Sequence, residues 1–222
     1  AGQGVYAEEV AEHALALTLA GLRDLKRRAR ATSWQAPSGL SLLGGRVTLV
    51  GAGGIARSLT RLLAPFHVSL SVVRRRPEPF VGAARTLPLE QLALALRDAD
   101  VVVLCCALTA ATRGIVGRAQ LALLQPHAWL VNVARGALVD TSALVEALDA
   151  GRLGGAALDV TDPEPLPAGH PLWAHERCLI TPHCANTPEM AVPVLSERVR
   201  ENVRRFAAGE PLLGVVDVEA GY

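Results

Sequence analysis

The chain has 222 residues, half of them hydrophobic, and 22 lysines and arginines against 21 acidic residues give a formal net charge of +1. That length suits one large domain, or one domain with part of a second, and supplies enough apolar mass for one core. The balanced charge and the 4% aromatic content argue against a nucleic-acid or membrane-surface role, because neither a charged field nor stacking platforms are on offer. Cys105, Cys106, Cys178 and Cys184 form no C-x-x-C pair, so a reduced, cytoplasmic protein is expected and not a disulfide framework. Residues 14–22, the most apolar stretch near the start, fall far short of the roughly 20 residues of a membrane span. No signal peptide is recognised, and a first residue that is not methionine points to a piece of something longer.

Residues 7–30 carry Val10, Ala14, Leu17 and Leu25 at helical spacing. Lys26, Arg27, Arg28 and Arg30 lie near the negative end of that helix's dipole. After a loop through Trp34, strands and helices alternate. Strands are expected at 46–50, 68–73, 101–105, 129–133, 156–160 and 178–181. Helices are expected at 55–64, 89–97, 120–124, 142–150 and 188–208, the last stopped by Gly209. Short apolar runs buried on both faces and separated by helices imply an α/β fold with a doubly wound parallel sheet. Residues 211–222 read as an extended tail.

The first strand opens into Gly51-Ala-Gly53-Gly54-Ile55-Ala56. Gly51 allows a tight turn, and Gly53 lets backbone N–H groups approach a pyrophosphate at the helix start formed by Gly54 and Ile55. Ala56 is a permitted small residue where the third glycine of such a motif stands. About 20 residues further on, a carboxylate normally meets the ribose hydroxyls of a cofactor without a 2′-phosphate. Here that strand ends in Arg74-Arg75-Arg76. Arginine forks match phosphate oxygens, so NADP is favoured over NAD. The other reading, a solvated basic loop near Glu78, stays open.

Three further strands end in chemistry: Asn132-Val-Ala-Arg135-Gly, Asp159-Val-Thr-Asp-Pro-Glu164-Pro, and Thr181-Pro-His183-Cys. Strand ends that open into Gly- or Pro-marked loops are where an open α/β sheet gathers reactive groups. His183 is the expected proton donor to a carbonyl under reduction, and the base in the reverse direction. Glu164 would orient its ring and favour the charged form. Arg135 would grip a substrate carboxylate. His170, His175, Cys178, His183 and Cys184 crowd one segment, but they lack the short, regular pairing of a zinc site, and no metal is expected. Cys105 and Cys106 read as core residues.

Taken with Val10-Ala-Glu-His-Ala-Leu-Ala-Leu, Ala99-Asp-Val-Val-Val-Leu and Leu108-Thr-Ala-Ala-Thr112-Arg-Gly-Ile-Val-Gly, these phrases resemble the nucleotide-binding domain of the D-isomer-specific 2-hydroxyacid dehydrogenases. The resemblance runs from about Val5 to the closing helix. It implies a Rossmann fold, Arg135, Glu164 and His183 as the catalytic trio, and cofactor contacts from Thr112, the Val133 backbone and Asp159, with Asp159 at the nicotinamide amide. It also implies a small 2-keto or 2-hydroxy acid substrate, foremost of the glyoxylate or hydroxypyruvate type, with 3-phosphoglycerate oxidation as the other chemistry of similar members, and a homodimer to which the first helix could contribute. On this reading residues 1–186 form the NAD(P)-binding domain. Residues 187–222 form a helix and tail that would pack on a flavodoxin-like substrate domain largely missing from the chain. Where many relatives have His-Leu-Pro-Leu-Thr, this chain has Cys105-Cys-Ala-Leu-Thr. Glutamate at 164 sets it apart from the formate-oxidising branch, which uses glutamine there. A dinucleotide-sensing regulator on the same scaffold, or a cofactor-binding fragment without turnover, is the alternative to an enzyme.

Overall fold

The computed structural model describes residues 4–216. Seven strands, β1 (Arg46–Val50), β2 (Ser69–Arg74), β3 (Arg85–Pro88), β4 (Val101–Leu104), β5 (Trp129–Asn132), β6 (Gly155–Leu158) and β7 (Cys178–Ile180), make one sheet. Their order is β3-β2-β1-β4-β5-β6-β7, and every pairing is parallel. The order reverses direction between β1 and β4, where an open sheet leaves its ligand crevice.

Side-chain alternation along the strands sorts the core into two layers. Val101 and Val103 of β4 face α1 (Ala7–Leu22) and α3 (Gly54–Leu63), together with Leu49, Leu70 and Val131. Val102 and Leu104 face the other way, toward α4 (Leu92–Arg97), α5 (Arg118–Leu121) and α6 (Thr141–Asp149), with Leu130 and Leu158. Thr48, buried on that second face, donates its hydroxyl to the Ala95 carbonyl (3.0 Å) and is thereby satisfied.

Three elements depart from the sequence reading. The first helix does not run to residue 30. It ends at Leu22, Asp24 takes a left-handed backbone (φ 54°), and α2 (Leu25–Ala29) starts afresh. Aspartate tolerates that conformation, and here its carboxylate accepts from Arg27 Nε (2.6 Å) and Ser38 (3.3 Å). β3 was not expected. It is a half-exposed edge strand with no apolar alternation, and its order comes from pairing with β2 and from the bond of Arg85 Nε to Ser71 (2.8 Å). The one-turn helix α7 (Pro171–Ala174) was not expected either. The closing helix α8 (Pro188–Ala207) lies where the pattern put it but has no buried residue. Residues 211–216 are irregular, and the rest of the expected tail, 217–222, lies outside the described residues.

Candidate active site

Every proposed site residue stands at the C-terminal edge of the sheet or in a loop leaving it. Gly51 follows β1 with φ 123°, and a Cβ there would fall 2.7 Å from the Cys105 and Cys106 backbone. Only glycine lets β1 and the β4 loop close together at the switch point. Gly53 caps α3, and a Cβ added to it would meet nothing within 4 Å, so the space above the helix start is open. The amides of Gly54 and Ile55 belong to the first turn, which lacks intrahelical partners and carries the positive end of the dipole. Ala56 is wholly buried against the sheet. This turn fits a pyrophosphate. At the end of β2, Arg74 pairs with Glu78 (3.4 Å) while Arg75 and Arg76 are exposed.

The sheet brings His183 and Glu164 into contact. Nδ1 of His183 donates to Glu164 Oε1 at 2.5 Å, with the two side chains about half exposed. That bond occupies Nδ1 and leaves Nε2 as the ring nitrogen not engaged by Glu164. His183 is held at φ 51°, a left-handed conformation uncommon outside glycine and typical of functional sites. Its amide is anchored to the carbonyls of Asp159 (2.7 Å) and Thr181 (3.0 Å). Arg135 reaches the neighbourhood by backbone contact. The next residue, Gly136, packs so closely that a Cβ would lie 1.9 Å from the Thr161 carbonyl, which seats the Arg135 loop against the one carrying Glu164. The Arg135 guanidinium turns back onto the Ala134 carbonyl (2.6 Å) and is exposed.

Under this surface lie buried polar contacts that the sequence reading did not find, those of Asn132 and of His13, together with the bonds that hold the expected Asp159. Asn132, 1% exposed at the end of β5, donates to the Arg135 carbonyl (2.9 Å) and accepts from the Ala134 amide (3.1 Å), clasping the arginine loop. Asp159, 2% exposed at the end of β6, accepts from the Thr181 hydroxyl (2.6 Å), the Cys184 amide (2.9 Å) and the Ala185 amide (3.0 Å). His13 Nε2 of α1 approaches its Oδ1 to 3.3 Å. Burial works against the charge, but the bonds from His13, Thr181, Cys184 and Ala185 outweigh it and hold the carboxyl at about 2. A polar residue at core spacing, His13 among Val10, Ala14 and Leu17, was the available signal. Thr112 and Val133, expected to meet the cofactor, lie on the β4 and β5 loops. The Thr112 hydroxyl donates to the Ala107 carbonyl and accepts from the Thr109 amide, both at 2.7 Å, and the Val133 amide bonds to Leu104 (3.3 Å).

The histidines and thiols weighed as zinc ligands have separate employment. His170 Nδ1 accepts from the Leu172 amide and His175 Nδ1 from that of Arg177. Burial pushes the Cys178 thiol up to about 12 and that of Cys106 up to about 11, and Cys105 is buried in the core. Among the described residues, the grouping close enough to share an ion is His13, Asp159 and Cys184, of which only Cys184 belongs to the segment weighed from the sequence. Among them too, no helix is long and apolar enough to cross a membrane.

Known proteins share this sequence and fold. The chain is 42% identical over 225 residues, covering 99% of it and 74% of the relative, to the uncharacterized protein in the proB 3′ region of Corynebacterium melassecola. It is 35% identical over 178 residues to glyoxylate/hydroxypyruvate reductase A of Serratia proteamaculans, covering 79% of this chain and 56% of the relative. It therefore spans little more than half the length of that curated reductase. The crystal structure of a D-isomer specific 2-hydroxyacid dehydrogenase from Xanthobacter autotrophicus Py2, in complex with NADPH and MES, superposes with a TM-score of 0.86 at 35% identity, covering 98% of this chain and 90% of that one. The sequence model of the D-isomer specific 2-hydroxyacid dehydrogenase NAD binding domain matches residues 13–185, so the chain belongs to the D-isomer specific 2-hydroxyacid dehydrogenase family.

Proposed function

We propose that this chain is the cofactor-binding and proton-transferring part of an NADPH-dependent reductase of small 2-ketoacids of the glyoxylate or hydroxypyruvate type. The observation that carries the reading is the His183–Glu164 bond of 2.5 Å at the carboxyl edge of the sheet, on the side where the Gly51–Gly53 turn lies open. A bound nicotinamide supplies the hydride. Gly53, Gly54 and Ile55 would hold its pyrophosphate, and Arg75 and Arg76 a 2′-phosphate. Thr112 and the Val133 carbonyl would border the nicotinamide. Asp159 Oδ2 has one amide bond and so retains a lone pair for the carboxamide. The Serratia reductase and the NADPH-bound Xanthobacter structure support this assignment of substrate class and cofactor.

In the proposed mechanism Arg135 swings from the Ala134 carbonyl to grip the substrate carboxylate bidentately, which places the adjacent carbonyl carbon and orients its oxygen. His183, doubly protonated, gives its Nε2 proton to that oxygen while Nδ1–H stays bonded to Glu164. In the oxidative direction Nε2 takes the proton back. We assign α8 to a contact with a substrate domain, since Val192, Val199, Val203 and Phe206 are each more than half exposed on it. Residues 1–186 are then the cofactor domain and 187–222 the segment that docks. A homodimer and a cytoplasmic location, suited to four unpaired cysteines, complete the proposal. Sedimentation showing only monomer of the intact protein removes the dimer.

The test follows NADPH absorbance with glyoxylate, hydroxypyruvate and longer 2-ketoacids, for wild type and His183→Ala. Turnover in wild type with a fall of roughly 10²–10⁴-fold in kcat for the mutant is expected for loss of a general acid. An unchanged rate removes His183 from the mechanism. No turnover with cofactor still bound favours a dinucleotide-sensing or cofactor-binding role.

A further inference from the structure

The helix α1 reaches the reacting loop from a remote part of the chain through one side chain. His13 Nε2 lies 2.9 Å from the Thr181 hydroxyl and 3.3 Å from Asp159 Oδ1. Its side chain is 21% exposed, that of Asp159 only 1%. The hydrogen positions follow from donor counting. Thr181 has one hydroxyl proton, and at 2.6 Å from a carboxylate oxygen that proton is donated to Asp159. The Thr181 oxygen is then an acceptor toward His13, so His13 Nε2 carries a hydrogen. A directed chain results: His13 N–H to Thr181 O–H to Asp159. Asp159 in turn receives the Cys184 and Ala185 amides on its carboxylate and the His183 amide on its carbonyl. The backbone on both sides of the left-handed His183 is wound around a group that His13 locks.

We propose that His13 is a positioning residue: through Thr181 and Asp159 it fixes the backbone turn that aims the His183 imidazole. The proposal rests on His183 being the proton donor, as argued above. It touches neither the glycine turn nor Arg135, so it leaves the pyrophosphate cradle intact while acting on the turn that carries His183. An ångström of misplacement at a reacting group costs about 100-fold in rate, and the effect should fall on kcat.

The experiment uses the intact protein with three variants. His13→Leu removes the donor, His13→Gln keeps an N–H at a similar reach, and Thr181→Val removes the hydroxyl that relays it. Two readouts are taken: hydrogen exchange at the Cys184 and Ala185 amides without ligand, and kcat beside the Kd for NADPH. His13→Leu and Thr181→Val should each speed exchange at both amides at least tenfold and lower kcat about 10- to 100-fold, with the Kd for NADPH changed less than kcat because the pyrophosphate cradle is untouched. His13→Gln should recover most of both losses. The double variant His13→Leu/Thr181→Val should be no worse than the poorer single one, since both cut one chain. Wild-type exchange in His13→Leu, equal damage in His13→Gln, or additive losses in the double variant overturns the proposal. If the intact wild-type protein, substrate domain included, turns over no ketoacid, the functional reading fails, while the exchange data still decide whether His13 holds the turn.

Discussion

Asp159 shows how one carboxylate can organise a site without reacting in it. Nearly buried, it is ringed by His13 from α1, by the Thr181 hydroxyl and by the Cys184 and Ala185 amides. Its carboxyl, held at about 2 by these bonds, lies below the ordinary aspartate value of 3.8. Because the folded pKa is depressed, its stabilising contribution is complete above the unfolded pKa near 4 and is lost as pH falls from there through about 2. The difference corresponds to about 2 kcal/mol at neutral pH. Asp159→Asn should therefore unfold more easily at pH 7 by about that amount, and the gap from wild type should close as pH falls toward 2. Urea denaturation at pH 7, 4 and 2.5 reads this directly, and a gap that stays constant with pH would contradict it. His13 and Thr181 were quoted in the sequence as parts of matching phrases with no role attached. No local pattern joins positions 168 residues apart. Arg135, Glu164 and His183 were legible because each follows an apolar run that breaks at glycine or proline, a signal contained within ten residues.

At the level of elements, the sole lysine does work that arginine could not. Lys26 on α2 sends Nζ to the carbonyls of Trp173 (3.2 Å), His175 (2.9 Å) and Cys178 (2.7 Å), tying α2 to the end of α7 and the first residue of β7. Desolvation draws its pKa below the ordinary lysine value. A compact ammonium suits three converging oxygens, whereas a planar guanidinium fork does not. Lys26→Met should cost about 2 kcal/mol, the scale of charged hydrogen bonds lost to partly buried carbonyls. Lys26→Arg should recover less than half of that in equilibrium unfolding. Full recovery by arginine would show that charge alone matters there. The same elements show where sequence patterns stop. β1, β4, β5 and β6 are buried on both faces and read as plain apolar runs. β3 is set by pairing at the sheet edge, and the break between α1 and α2 by a single left-handed aspartate fixed by Arg27 and Ser38. Both depend on contacts that hydrophobic periodicity does not record.

Across the whole molecule, the two halves of the proposed activity are unequally represented. The glycine turn, the arginines after β2 and the loops after β4, β5 and β6 all belong to one doubly wound body with a core layer on each face. α8, by contrast, has no buried residue and carries an apolar seam outward. Cofactor capture should then be a property of this body, separable from turnover, and it can be read without any substrate. A ligand that binds only the folded state stabilises it by RT ln(1 + [L]/Kd), about 2.7 kcal/mol at a hundredfold excess over Kd. For a domain of this size each kcal/mol moves Tm by roughly 2–4 °C, so saturating NADPH should raise the midpoint by about 5–10 °C. NADH at the same concentration should give a clearly smaller shift if Arg75 and Arg76 hold a 2′-phosphate, and the difference should shrink at high salt, since exposed charges are screened. The double variant Arg75→Ala/Arg76→Ala should bring the NADPH shift down to that of NADH while leaving the NADH shift unchanged, because the pyrophosphate cradle at Gly53 is untouched. Equal shifts for the two dinucleotides in wild type would assign the arginines to the solvated surface and leave the cradle as the whole of the binding site.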